Sequence, residues 1–426
     1  MTAMAKSSRV QSALSKVKTA RENHAERHRA TGFQFALADD IDLLSPDAWD
    51  SVVGDSCYFL DRSYLRVLRD AGPEQIASKL CLISDSGRPA AVVAAQLLTL
   101  DGGRLVAHEP TQEAPLKGIK ARAKALLSRV GRSAVKRVRR RVLVCGNLMS
   151  WGNHGVAFAP GVDETRLWPA VAEALYRIRN AEKLSGKTDY LLVKDLPSRA
   201  GLPVEALRQF SYRPVETDPD MVLEILPQWK TFADYTNALT SKYRSNVRKI
   251  ESEITQAGYE VVRVHDLEPV AARIAELYYN VHAKAAVKPV TIPPEYLPAL
   301  AKAAGPERFR CHVLQRGGEI AGFITSLKSG ATAVGYYIGV DYAVNEQLPV
   351  YFRLLQQTVA DAIEMKCERL SLGRTALEPK AKLGAKPIPT RVWLRHRLPL
   401  MNLIVRPLLG AVPHDEAPER SVMKGT

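Results

Sequence analysis

One order of elements occurs twice along this chain: short helices, a three-strand meander, a long helix and a further strand. In the first half, Pro46–Val53 and Asp61–Asp70 read as helices. Lys79–Ser84, Ala90–Thr99 and Arg104–His108 read as strands, joined by D-S-G-R and D-G-G-R, which suit tight hairpins. Val142–Cys145 then reads as a strand, Glu164–Lys183 as a helix and Tyr190–Lys194 as a buried strand. In the second half, Phe232–Gln256 and Pro269–Lys284 are expected helices. Arg310–Gln315, Ile320–Lys328 and Ala331–Ile338 form the meander, followed by a helix over Pro349–Met365 and a strand over Arg369–Leu372. The expected fold class is α+β, with two tandem modules, each a mixed sheet flanked by helices. A basic tail occupies 1–30, the first module 31–218 and the second 219–426.

A chain of 426 residues has room for two such cores. The net charge of +15 is concentrated: residues 117–141 hold eleven Lys or Arg and no acid. Within 116–141, Leu116, Ile119, Ala123, Leu126, Leu127, Val130, Ala134 and Val138 recur at helical spacing, so this insert reads as a basic amphipathic helix. A local charge of this kind suits one anionic partner, such as an anionic membrane surface, and argues against a whole surface that tracks DNA. The segment Val392–Pro413 mixes apolar runs with Arg395, Arg397 and Arg406 and reads as a headgroup-docking stretch or as a final strand with a closing segment. Five scattered cysteines fit a reducing, cytoplasmic compartment, with peripheral contact at the inner membrane face. No His/Cys spacing suits a metal, so no metal and no bound cofactor are expected.

Three stretches carry a family resemblance: S-K-Y-R-S-N-V-R-K (Ser241–Lys249), G-Y-Y-I-G-V-D-Y with N-E-Q-L-P-V-Y-F-R-L-L (Gly335–Leu355), and L-S-L-G-R-T-A-L-E-P-K-A-K-L-G-A-K (Leu370–Lys386). C-G-N-L-M-S-W-G-N-H-G-V (Cys145–Val156) is a weaker echo in the first half. The chain resembles tandem GNAT-fold acyltransferases related to the Fem peptidyltransferases and the BioF-like acetyltransferases. The resemblance implies that Ala331–Ile338 and Arg369–Leu372 splay apart, leaving a gap for the donor's pantetheine arm. It also implies that the loop before the Pro349 helix meets the donor's phosphates through free N–H groups. This loop, Asp341–Leu348, lacks the glycines of the usual R/Q-x-x-G-x-G/A pattern and carries two acids.

Amine acylation needs a base for the amine, a donor for the oxyanion and a proton for the leaving group. Glu378, just after the G-R-T turn, and Asp341 are the base candidates, with His282 as a further one. Tyr336, Tyr337 and Tyr351 are candidate oxyanion or leaving-group donors. Tyr243, Arg244, Arg248, Asn345, Arg374, Lys380 and Lys382 are candidate substrate- or donor-binding residues, because guanidinium and ammonium groups suit phosphate or carboxylate. Each has a plainer reading as an ion pair, helix face or packing residue. The expected reaction moves an acyl group, from acyl-CoA or an acyl carrier protein, onto the amine of an amino lipid or sphingoid-like base, as in bacterial ceramide formation. One alternative is a Fem-like transferase that uses charged tRNA on a cell-wall precursor. Another is a non-catalytic lipid- or glycan-binding protein.

Overall fold

A computed structural model of the protein describes residues 29–101, 139–285, 290–398, 401–402 and 420–424. The expected strand Arg104–His108, most of the basic tail and residues 116–138 of the insert lie outside them. Residues 139–141 of the insert are described, and they are not helical: Arg139, Arg140 and Arg141 open strand β4 (Arg139–Cys145). Arg141 is held there by Glu182 and by the Glu182 and Gly186 carbonyls, contacts that favour an extended run over another helical turn.

The first half begins with β1 (Gln34–Ala38), two short helices (Pro46–Val53 and Arg62–Ala71), β2 (Ala77–Asp85) and β3 (Arg88–Asp101). Local chemistry sets the helix ends. Ser45 and Asp61 accept hydrogen bonds from first-turn N–H groups, and Gly54 closes the first helix with a positive φ. β4, β5 (Val156–Phe158), the helix Glu164–Ala181 and β6 (Thr188–Pro197) follow. β7 (Arg213–Glu224) crosses the expected boundary between modules. The second half adds the helices Phe232–Ala238 and Ser241–Gln256, β8 (Glu260–Val264), the helices Ala271–Lys284 and Tyr296–Arg308, then β9 (Phe309–Arg316), β10 (Glu319–Ser329) and β11 (Thr332–Val340). A helix at Val350–Glu364, β12 (Arg369–Ser371), a short helix at Leu377–Ala381 and β13 (Lys386–His396) complete the second half.

The internal repeat is visible in the pairing. β2–β3–β4 matches β9–β10–β11, and the parallel pair β4–β6 matches the parallel pair β11–β12. The two modules nevertheless share one sheet. Among the described residues it has thirteen strands, in the order β1-β2-β3-β4-β6-β13-β7-β12-β11-β10-β9-β8, with β5 alongside β3. β13, the last of the described strands, sits between β6 and β7 and is antiparallel to both. Residues 392–396 of the segment considered for headgroup docking are therefore inside the sheet.

The expected helix Phe232–Gln256 is two helices, because Leu239 and Thr240 are extended. Leu239 is fully buried, and the chain end runs beside it: Thr240 N–H donates to the Val422 carbonyl and Lys424 N–H to the Ala238 carbonyl. Those bonds replace the helical ones that a continuous helix would make. One hydrophobic core joins the modules, with Trp49, Phe59 and Tyr64 of the first packed with Tyr296, Phe309, Phe323 and Tyr336 of the second. Each such side chain contributes about 1.5–3 kcal/mol on burial, so the modules are bound by core packing as well as by the sheet.

Candidate active site

β11 and β12 pair in parallel only at Thr332–Arg369, Ala333–Leu370 and Val334–Ser371. β12 ends at Ser371, whereas β11 runs on to Val340 with β10 on its other side. From Gly335 onward β11 has no strand partner on the β12 side among the described residues, so the ladder opens there into a gap.

A first-module loop, Gly146–Gly155, reaches both sides of this opening. Tyr337 on β11 donates its hydroxyl to the Met149 carbonyl (3.1 Å). The Trp151 indole N–H donates to Ser371 Oγ on β12 (2.6 Å). Ser371 in turn donates to Asp220 Oδ2 (2.6 Å), and Gly373 N–H donates to Asp220 Oδ1 (3.0 Å). Gly373 has φ +78°, and a Cβ there would lie 2.9 Å from the Trp151 ring, so only glycine fits the turn. Burial pushes the Asp220 carboxyl above its usual range. Lys380 faces it from the short helix and is buried; desolvation pulls its ammonium down to about 8, with Asp220 acting the other way. Among the described residues no hydrogen-bond acceptor meets Lys380 Nζ.

A second charged group underlies the loop. Asp195, fully buried and in a left-handed conformation (φ 59°), pairs with Lys194 and with Arg374 of the second module. Burial works against its negative charge, but Lys194 and Arg374 prevail and hold its pKa low. Gly152 N–H donates to Asp195 Oδ2 (3.0 Å), and Lys194 Nζ donates to the Ser150 carbonyl (2.7 Å). His154 stacks on Phe59 (4.1 Å between ring centres), and its Nδ1 lies 2.8 Å from Ser150 Oγ. Burial, aided by Lys194, drives its pKa down to about 3, so the ring is neutral. Beneath, the hydroxyls of Tyr64, Tyr296 and Tyr336 form a closed cluster, with Tyr64–Tyr296 at 2.9 Å and Tyr296–Tyr336 at 2.7 Å, and Asn147 donates to Tyr64. Burial raises Tyr336 and Tyr337 far above the usual phenol value, which makes them donors and not bases.

Of the residues expected from sequence, Tyr336, Tyr337, Arg374 and Lys380 meet in this network. The others have different surroundings. Glu378 is half-buried and ion-paired with Arg420 and with Lys382 (3.6 Å). Lys382 also lies over the Phe352 ring (5.7 Å). Asp341 caps a four-residue helix and pairs with Arg273 (3.0 Å). Asn345 Oδ1 accepts from Tyr351 N–H (2.9 Å), and the Leu348 carbonyl accepts from Val350 N–H (2.8 Å). Two N–H groups expected to greet donor phosphates are thus already occupied. Tyr351 is pushed up to about 12 by burial. His282 stacks on Tyr278 and meets Thr291 Oγ1 (2.9 Å). Arg244 bonds the Leu239 carbonyl (3.1 Å), Lys242 lies over the Tyr243 ring (5.9 Å), and Arg248 is exposed. Sequence reasoning missed Trp151, His154, Lys194, Asp195, Asp220 and Ser371. The dense Trp-Gly-Asn-His loop after β4 was the one available signal, since Asp220 follows a Pro-rich stretch that reads as a linker.

Residues 241–381 match the family model described as an acetyltransferase (GNAT) domain. The match lies wholly within the second half. That match supports acyltransferase activity, and GNAT enzymes take acyl-CoA as co-substrate. No curated protein matches the chain by sequence. Among solved structures, FemX is 10% identical over 85% of this chain and 98% of its own, with a TM-score of 0.51. The C-terminal domain of a putative lysylphosphatidylglycerol synthetase from Agrobacterium fabrum is 11% identical over 87% and 98%, with a TM-score of 0.48. A tandem GNAT protein from the clavulanic acid biosynthesis pathway is 13% identical over 85% and 98%, with a TM-score of 0.46. At 10% identity the likeness to FemX concerns the fold alone. Among the described residues no His, Cys, Asp and Glu group has the makings of a metal site.

Proposed function

We propose that the protein is an N-acyltransferase that joins an acyl group to the amine of an amino lipid or sphingoid-like base in the gap between β11 and β12. The observation that carries this reading is Lys380, a buried amine held at about 8 beside the end of β12 and facing Asp220. In the reaction the acceptor nitrogen attacks the donor carbonyl, a new C–N bond forms, and the bond to the leaving group breaks. Neutral Lys380 takes the proton that the nitrogen sheds and passes it to the leaving group. The base role passes from Glu378 to its helix neighbour because Glu378 is engaged with Arg420 and Lys382. Trp151 and Tyr337, which bond to Ser371 and to the Met149 carbonyl at this opening, offer aromatic surface that favours an acceptor with apolar bulk.

The capping of the Val350 helix by Asn345 supports a donor whose phosphates lie elsewhere than in an ordinary CoA loop. That favours an acyl carrier protein over acyl-CoA in the first reading. It also gives weight to a second reading, transfer from charged tRNA. Purified protein is incubated with long-chain amines and, separately, with acyl-CoA, acyl carrier protein thioester or aminoacyl-tRNA, and amide products are identified by mass spectrometry. A long-chain amide from a thioester donor upholds the first reading. Product only from tRNA replaces it with the second, and no product from any donor removes both.

A further inference from the structure

The helix Leu377–Ala381, which carries Lys380, is poorly equipped to hold itself. It has five residues, and Ala376 at its start has a left-handed backbone (φ 52°) and gives no side-chain cap. A helix so short depends on what packs against it. On its inner side, Leu377 and Ala381 belong to the second module's core, together with Leu383, Ala385 and Val422. On its outer side, Glu378 meets Arg420, whose Nε donates to Oε2 (3.3 Å) and Nη2 to Oε1. Such a two-pronged bond between guanidinium and carboxylate fixes orientation as well as distance. Arg420 also donates to Tyr243 on the helix Ser241–Gln256. The stretch that bears Arg420 is itself anchored. The Val422 carbonyl accepts from Thr240 N–H (2.9 Å), Lys424 N–H donates to the Ala238 carbonyl (3.0 Å), and Lys424 Nζ donates to the Asn237 carbonyl (2.6 Å). Residues 420–424 thus tie the outer side of the Lys380 helix to the junction between the helices Phe232–Ala238 and Ser241–Gln256.

A half-exposed ion pair adds little to stability, so the value of this clasp lies in geometry. We propose that Arg420 is a positioning residue, an inference that rests on Lys380 as the base: through Glu378 it holds the helix Leu377–Ala381 down and keeps Lys380 buried beside Asp220. The charged groups around Lys380 are Asp220 on β7, with Arg374 near it, and Glu378 and Lys382 on its own helix, with Arg420 beyond. Without the clasp the helix lifts and water reaches the ammonium. Its pKa then climbs from about 8 towards the ordinary 10.5.

The test uses the full chain with lysine labelled with carbon-13 at Cε, in which the resonance missing from K380M identifies Lys380. Its titration midpoint is read in wild type, R420Q, R420K, E378Q and the R420Q/E378Q double variant, alongside the pH profile of kcat. In R420Q and in E378Q the midpoint should rise by about one pH unit and kcat at pH 7 should fall about tenfold, with Tm almost unchanged. The double variant should shift no further than either single one, and R420K should recover part of the loss. Charge alone predicts a different result: removing Arg420 would raise the Lys380 midpoint, and removing Glu378 would lower it. Opposite shifts in the two single variants, or no shift in either, overturn the proposal. A midpoint that rises while the rate profile stays in place upholds the clasp and removes Lys380 from the chemistry instead.

Discussion

Lys380 and His154 show how burial at single residues sets two separate pH responses. Lys380 acts as a base only when neutral, so turnover should climb as pH rises through about 8. Lys380→Met should lower kcat/KM by roughly 100- to 10,000-fold with little change in Tm. A variant with the wild-type rate and pH profile would remove Lys380 from the chemistry. For His154 the folded pKa, about 3, lies below the ordinary 6.5. The unfolded chain therefore binds a proton that the folded one refuses at intermediate pH. Stability from this residue is complete above about 6.5 and is lost as pH falls towards 3. Urea unfolding from pH 7 to pH 4 should show a shallower decline for His154→Gln than for wild type, and parallel declines would contradict the assignment.

At the scale of elements, close approach decides what each strand and helix can bear. A methyl added at Gly339 would lie 2.4 Å from the Phe323 ring and 2.6 Å from the Leu277 backbone, so the helix Ala271–Lys284 would have to lift from β11. Gly339→Ala should cost about 1–3 kcal/mol in equilibrium unfolding. The clasp between modules is more sensitive. Asp195→Asn leaves Lys194 and Arg374 facing each other without their shared anion and should cost about 3–5 kcal/mol, measured the same way. Elements with plain periodicity and Gly-rich turns, such as β9–β10–β11 and the helix Val350–Glu364, were legible in sequence. β7 and the first part of β13 were not, because each contains two prolines, which argue against a central strand, whereas residues 392–396 had a final strand as one of their two readings. The structure accommodates Pro219 and Pro389 at the one place where the β7–β13 ladder shifts register, between Ile388 and Thr390. The helix Tyr296–Arg308 was hidden in the same way by Pro298, by Pro306 and by Gly305 at φ 69°. The candidate site was half legible. Residues in the second-half motifs were found, whereas Asp195 and Trp151 act through contacts 179 and 220 residues away that no local pattern encodes.

The molecule as a whole has two halves by repeat and one body by packing. The shared core and the shared sheet predict one cooperative unfolding transition, the same by tryptophan fluorescence and by far-ultraviolet circular dichroism. A chain ending at residue 385 should lose protected amides in β6 as well as in the second half, since β6 then has a bare edge. Unchanged hydrogen exchange in β6 would show the first half to be self-sufficient. The position of β13 also orders events at birth. Synthesis releases the first half long before residue 386, so β6 leaves the ribosome with an open, apolar flank and β7 cannot yet dock through its eventual neighbour. The nascent chain must wait, for most of its length, for the strand that closes it. Chaperone demand and aggregation should therefore peak just before residues 386–396 emerge, and a stop at residue 385 should be as damaging as one in the middle of the sheet.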